Sequence, residues 1–157
     1  MFEIIVQRAI SDKSCPTTTK LKRWVLHVLK NKIPSSEVTL RIVDKKEIME
    51  LNSTYRKKNK PTNVLSFPFD MPEGCENELP ILGDILLCAA VIDEEAKAQG
   101  KTLESHWAHM VVHGTLHLLG YDHEKETDAA VMEAEEIKLL NELGFENPYY
   151  IDEGENK

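Results

Sequence analysis

"HGTLHLLGYDH", residues 113–123, decides how this chain is read. It closes a stretch expected to be helical from about residue 103 to 119, with Gly120 as the stop. His113 and His117 are four apart, so successive turns project both imidazoles from one face, about 6 Å apart along the axis at ~1.5 Å rise per residue. Gly120 can take the left-handed conformation that other residues resist, and the chain can then reverse and bring His123 back towards the same point. Three neutral ring nitrogens with no obvious fourth protein ligand describe a zinc-type site with an open position. The alternative is that the three histidines cap and pack the helix end. His106 and His109 share the face but stand one or two turns further back, too far along the axis to join the same coordination sphere easily. His109 is weighed either as a contact to a ligand or substrate or as an ordinary polar helix residue.

The intervals are those of a zinc protease, but Gly114 sits where such an enzyme keeps its glutamate. Without that carboxylate beside the ion, nothing local takes the water's proton and returns it to a leaving amine, so peptide hydrolysis is disfavoured. Phosphodiester cleavage makes other demands. The leaving group is an alkoxide, and a cation must face the extra negative charge of the transition state. "YRKKNK" (55–60) offers one. Arg56 at a helix end can grip a phosphate bidentately, with Lys57, Lys58 and Lys60 adding looser attraction. A solvated basic turn is the other reading of the same residues.

Working outward, "FEIIVQR" (2–8) reads as a strand. Leu21, Trp24, Val25, Val28 and Leu29 recur at helical spacing behind threonines 17–19, any of which can cap. "EVTLRIV" (37–43) alternates as a second strand. Asp44 and Glu47 form a capping-box pattern opening a helix of about 45–56, whose buried side is expected to hold Ile48, Met49, Leu51 and Tyr55. A short strand at 63–67 and another at "ILGDILLC" (81–88) flank the polar loop "MPEGCENELP". Helices follow at about 89–99 and 103–119, and a last one, which Thr127 can cap, ends near Gly144. The order βαβαββααα gives one α+β domain over residues 1–150, a small mixed β-sheet of about four strands with about five helices packed on it, and a loose acidic tail at 151–157.

The 157 residues can bury a sizeable core, and no apolar run reaches the ~18 residues of a membrane span. The chain is read as cytoplasmic. Cys15, Cys75 and Cys88 are odd in number and lack a CxxC, which argues for reduced thiols, with Cys88 in a buried strand. The net charge of −8 conceals a polarity: residues 1–60 carry fourteen Lys or Arg against six Asp or Glu, residues 61–157 five against twenty-one. The basic part can hold phosphates, although two solvated faces would give the same asymmetry.

At these residues the chain resembles the YbeY family of bacterial single-strand-specific endoribonucleases, also called ribosomal RNA maturation factors. "HGTLHLLGYDH" matches the family's H-G-x-L-H-L-x-G-Y-D-H signature at every fixed position, "LNSTYRKKNKPTNVLSFPFD" (51–70) its second motif, and "LGDILLC" (82–88) its third. The resemblance implies a divalent metal, usually taken as zinc, on His113, His117 and His123, with Arg56 as the important cation. It also implies maturation of ribosomal RNA at the 3′ end of the small-subunit RNA, ribosome quality control, and ribosomal proteins and an assembly GTPase as partners. Asn63 stands where the family usually has Asp, so a charge is lost at that position. Asp84 and Asp122 are read either as support for the site or as ordinary strand and turn residues. Two other functions compete: a peptidase with a base from elsewhere in the fold, and a ribosome-assembly factor that needs the ion only for shape.

Overall fold

The structure is a computed structural model and describes residues 1–69, 79–122 and 124–149. The elements run β1 (Phe2–Arg8), α1 (Thr18–Leu29), β2 (Ser36–Val43), α2 (Lys45–Arg56), β3 (Val64–Pro68), β4 (Ile81–Cys88), α3 (Ala89–Gln99), α4 (Leu103–Leu118) and α5 (Glu126–Glu142). The four strands form one mixed sheet in the order β1-β2-β4-β3, parallel except for the antiparallel β3–β4 pair. The expected α+β architecture is therefore the observed one.

Alternation along the strands divides the sheet into two apolar faces. Val38, Leu40 and Ile42 of β2 and Ile85 and Leu87 of β4 meet Trp24, Val28, Trp107, Val111 and Leu116 from α1 and α4. Val43, Leu65, Leu86 and Cys88 pack on the other face with Ile48 of α2. Helix α1 turns its whole expected stripe inward, and Thr17 caps it by accepting the Lys20 N–H at 3.3 Å. Helix α4 is buried along almost its entire length. Each of Trp107, Val111 and Leu116 removes enough apolar surface to stabilise by about 1.5–3 kcal/mol, which fixes α4 as a rigid support for whatever it carries.

Three local expectations are corrected. The Asp44 side chain does cap α2, accepting the Glu47 N–H at 2.8 Å, but the Glu47 carboxylate turns to Arg41 (2.7 and 3.2 Å) and the reciprocal half of the capping box is not made. Helix α5 begins at Glu126 behind an N-cap Lys125 that makes no side-chain cap bond, so Thr127 lies within the first turn. Tyr55 is 65% exposed, and the buried side of α2 is made by Ile48 and Asn52. Cys88 is buried at the end of β4 and carries a free thiol, as does Cys15; Cys75 and the 151–157 tail lie outside the described residues.

Helix α2 ends on Lys57 in the left-handed conformation (φ 56°, ψ 31°), with the Lys58 N–H reaching back to the Asn52 carbonyl at 3.3 Å. This reversal points the basic loop back across the end of α2. A non-glycine residue there costs about 1–2 kcal/mol, partly offset by glycine's larger unfolded-state entropy, so Lys57→Gly should stabilise the fold by about 0.5–1 kcal/mol, read as a raised denaturant midpoint at unchanged slope.

Candidate active site

Helix α4 approaches the sheet closely at Gly114. A Cβ there would stand 2.9 Å from Ile85 Cγ2, 3.1 Å from Val64 Cγ2 and 3.3 Å from Ser66 Oγ, and the Ser66 hydroxyl donates to the Gly114 carbonyl at 2.9 Å. Position 114 therefore faces β3 and β4. A glutamate at this point would be driven into the sheet, away from any ion held by its neighbours. The glycine is a packing requirement, which accounts for the absent carboxylate in steric terms.

This close approach sets His113 and His117 beside the start of β3. Together with Arg56, Lys58, Lys60 and Asn63 they line a cleft of about 290 Å³ between the end of α2 and α4. The cations predicted from "YRKKNK" and two of the predicted histidines are thus brought together, except that Lys57, at the left-handed cap, is not part of the lining. Arg56, Lys58 and Lys60 are exposed, and among the described residues none has an ion-pair partner. Among the described residues, no carboxylate pairs with this wall of the cleft. Asn52, itself buried, holds the loop in place by donating to the Lys60 carbonyl at 2.9 Å.

The two imidazoles approach through their Nε2 atoms, 3.1 Å apart, with ring centroids 4.6 Å apart and planes at 80°. Two nitrogens bound to one tetrahedral zinc at ~2.0–2.1 Å would be separated by about 3.3–3.4 Å, so this pair is already near the spacing that a shared ion requires. The Nδ1 of His113 faces Glu136 Oε1 at 3.1 Å. Against a carboxylate Nδ1 carries the proton, and in the neutral ring this leaves the Nε2 lone pair directed at the cleft. His123 lies outside the described residues.

Glu136 was not anticipated from the sequence. It comes from α5, is 1% exposed, and collects three partners: His113, His109 through Nε2, and the Tyr149 hydroxyl, which donates at 3.0 Å. Burial pushes its carboxyl up, but the hydrogen bonds from His109 and His113 and their electrostatic pull outweigh that and hold it at about 2. The signal was present, since Met132, Glu136, Leu139 and Leu140 share the inward stripe of α5, and a carboxylate on an apolar stripe needs partners. His109 thus acts on the site through Glu136. Ligand atoms of His109, His113 and Glu136 also lie within 4.8 Å of one another, close enough to hold an ion themselves, a grouping that does not include His117.

Asn63 lines the cleft and donates to both carboxylate oxygens of Glu95 (3.1 and 3.2 Å), while its own oxygen accepts the Val64 N–H at 2.7 Å. Glu95 also meets His106 Nε2 at 2.9 Å, and burial lowers the His106 pKa against the opposing pull of that carboxylate. An aspartate at 63 would set two carboxylates face to face. Asparagine, a donor of the same size, fits this chain's Glu95. Asp84 is exposed on β4 outside the cleft lining, and Asp122 accepts the Glu124 N–H at 3.3 Å in the turn after α4.

The chain resembles known proteins over most of its length. TM1509 from Thermotoga maritima, known from a solution structure, superposes with a TM-score of 0.62 at 30% identity, covering 91% of this chain and 89% of its own. The sequence pattern of the family described as "Endoribonuclease YbeY" matches residues 7–144, a span holding every described residue of the cleft together with Glu136. With the family pattern matched over most of its length, this chain belongs to the YbeY endoribonuclease family.

Proposed function

We propose that the protein is a metal-dependent, single-strand-specific endoribonuclease of the cytoplasm, acting in maturation of the small-subunit ribosomal RNA at its 3′ end and in ribosome quality control. Ribosomal RNA, the small ribosomal subunit, its proteins and an assembly GTPase are the corresponding partners. The observation that carries the reading is the single cleft in which Arg56, Lys58 and Lys60 face His113 and His117.

Arg56 presents a planar fork suited to two phosphate oxygens, and the lysines raise the local attraction for the backbone on either side. His113 and His117, with His123 as the third member, form the donor set for a divalent ion, most simply Zn²⁺, which supplies Lewis acidity towards a phosphoryl oxygen or a water. Glu136 keeps the His113 ring in the tautomer that points Nε2 at the cleft. We assign the ion to the His113–His117 side rather than to His109–His113–Glu136, because both oxygens of Glu136 are already engaged by imidazoles in a buried position that no substrate reaches.

The test is cleavage of a single-stranded oligoribonucleotide, with duplex RNA and an unfolded protein as comparison substrates. Arg56→Ala should lower kcat/KM by about 10²–10³, as the loss of one transition-state donor does, and should leave the melting temperature unchanged because Arg56 is exposed and makes no ion pair among the described residues. Equal cleavage by Arg56→Ala, or digestion of the unfolded protein in preference to RNA, refutes the reading.

A further inference from the structure

Close in sequence to residues that line the cleft stand aromatic rings that are not fully buried: Phe67 packs partly on the core, while Tyr55 and Phe69 are exposed. Tyr55 was expected inside α2, yet the structure turns it outward, 65% exposed, in edge-to-face contact with Phe67 (centroids 5.3 Å apart, planes at 67°). Contact with one neighbour fixes the ring's orientation, and the remaining exposure leaves a π-face open to solvent. Phe69, two residues beyond Phe67 on the same side of the chain and held by its N–H to the Leu82 carbonyl at 3.1 Å, is 46% exposed.

The position of these rings is informative. On α2, Tyr55 precedes Arg56 and stands one turn beyond Asn52, both of which line the cleft; on β3, Leu65 lines the cleft and Phe67 follows on the same side. The rings therefore adjoin lining residues of the cleft on two of the elements that build it, α2 and β3. A positively charged groove that leads onto an open aromatic face is the combination that holds single strands, since phosphates are attracted to the one and any base can stack on the other.

We propose that Tyr55, backed by Phe67, stacks one unpaired base of the RNA strand whose phosphate lies at Arg56. The inference rests on the endoribonuclease reading of the cleft and extends it, because a base can reach Tyr55 only when it is free of a duplex partner. It gives the preference for single strands a physical origin, with little discrimination among the four bases.

The experiment measures binding by fluorescence anisotropy, in chelator so that nothing is cut, for a short single-stranded oligoribonucleotide, a duplex of the same length, and a strand with one abasic position. Tyr55→Ala should weaken single-strand binding about 10- to 100-fold, Tyr55→Phe should bind nearly as the parent does, and KM for cleavage should rise with the binding loss. The parent should lose a similar factor on a strand whose abasic site falls at Tyr55, and Tyr55→Ala should lose nothing more there. Equal binding by Tyr55→Ala and the parent overturns the proposal, as does an equal loss on intact and abasic strands. A parent protein that binds strands base-dependently but cuts none upholds the stacking and defeats the nuclease reading. One that cuts RNA but ignores the abasic site does the reverse, and leaves the aromatic patch to a protein partner.

Discussion

Gly114→Glu is expected to abolish the folded state and to confer no peptidase activity. The space at this position is defined by Ile85 and Val64, two β-branched residues of the buried seam, at 2.9 and 3.1 Å from an ideal Cβ. Even Gly114→Ala must displace one of them. Overpacking costs typically about 1–3 kcal/mol, against a helix-propensity gain of about 1 kcal/mol for alanine over glycine, so the alanine variant should lose up to about 2 kcal/mol. Glutamate adds three carbons and a charge that finds no partner between α4 and the sheet. Burying an unpaired carboxylate costs several kcal/mol beyond the steric term, and the sum is comparable to the roughly 5–15 kcal/mol by which a domain of this size is stable. Denaturant unfolding of the alanine variant and soluble yield of the glutamate variant provide the measurement. A Gly114→Glu protein with the parent's unfolding midpoint would show that the helix can rotate or lift off β3, and would reopen the question of a base beside the histidines.

How far the sequence could be read depended on whether a residue's partner lay near it in the chain. The i, i+4 pair His113 and His117 was legible because one helix supplies both rings, and the nine elements were legible because apolar spacing within each is local. Glu136 escaped because its meaning arises only when α5 is laid against α4, 23 residues from His113 in sequence. Asn63 looked like a simple loss of charge until Glu95, on α3, was found opposite it. Tyr55 failed for a different reason. Helical periodicity marks it as inward, but only Ile48 and Asn52 of α2 are buried, and Tyr55 in the last turn meets Phe67 edge to face and is otherwise open. The steric reason for Gly114 was equally invisible, since a glycine in a helix interior gives no hint of what approaches it.

Removing His117 and removing His109 should have opposite consequences for metal content, and this is the sharpest test of where the ion sits. On the His113–His117 assignment, His117→Ala deletes a ligand. If the apparent 10–16 kcal/mol of a four-ligand zinc site is shared among its ligands, one is worth about 2.5–4 kcal/mol, a factor of about 10²–10³ in affinity. RNA cleavage should fall at least as far, while the unfolding midpoint changes little, because His117 is half-buried at the cleft and not part of the core. His109→Ala takes away a partner of Glu136 and leaves both Nε2 atoms in place, so the protein should still load one ion. Glu136→Gln belongs between the two: Gln can still accept from His113 Nδ1 but without charge, and such losses behind a ligating histidine typically lower affinity about 10- to 100-fold without changing stoichiometry. If the ion instead occupies His109–His113–Glu136, the order inverts. Glu136→Gln and His109→Ala would then empty the site, and His117→Ala would retain the metal and lose only what His117 does for substrate. Metal content by mass spectrometry, with chelator competition on all three variants, separates the two orders whether or not the RNA substrate has been identified.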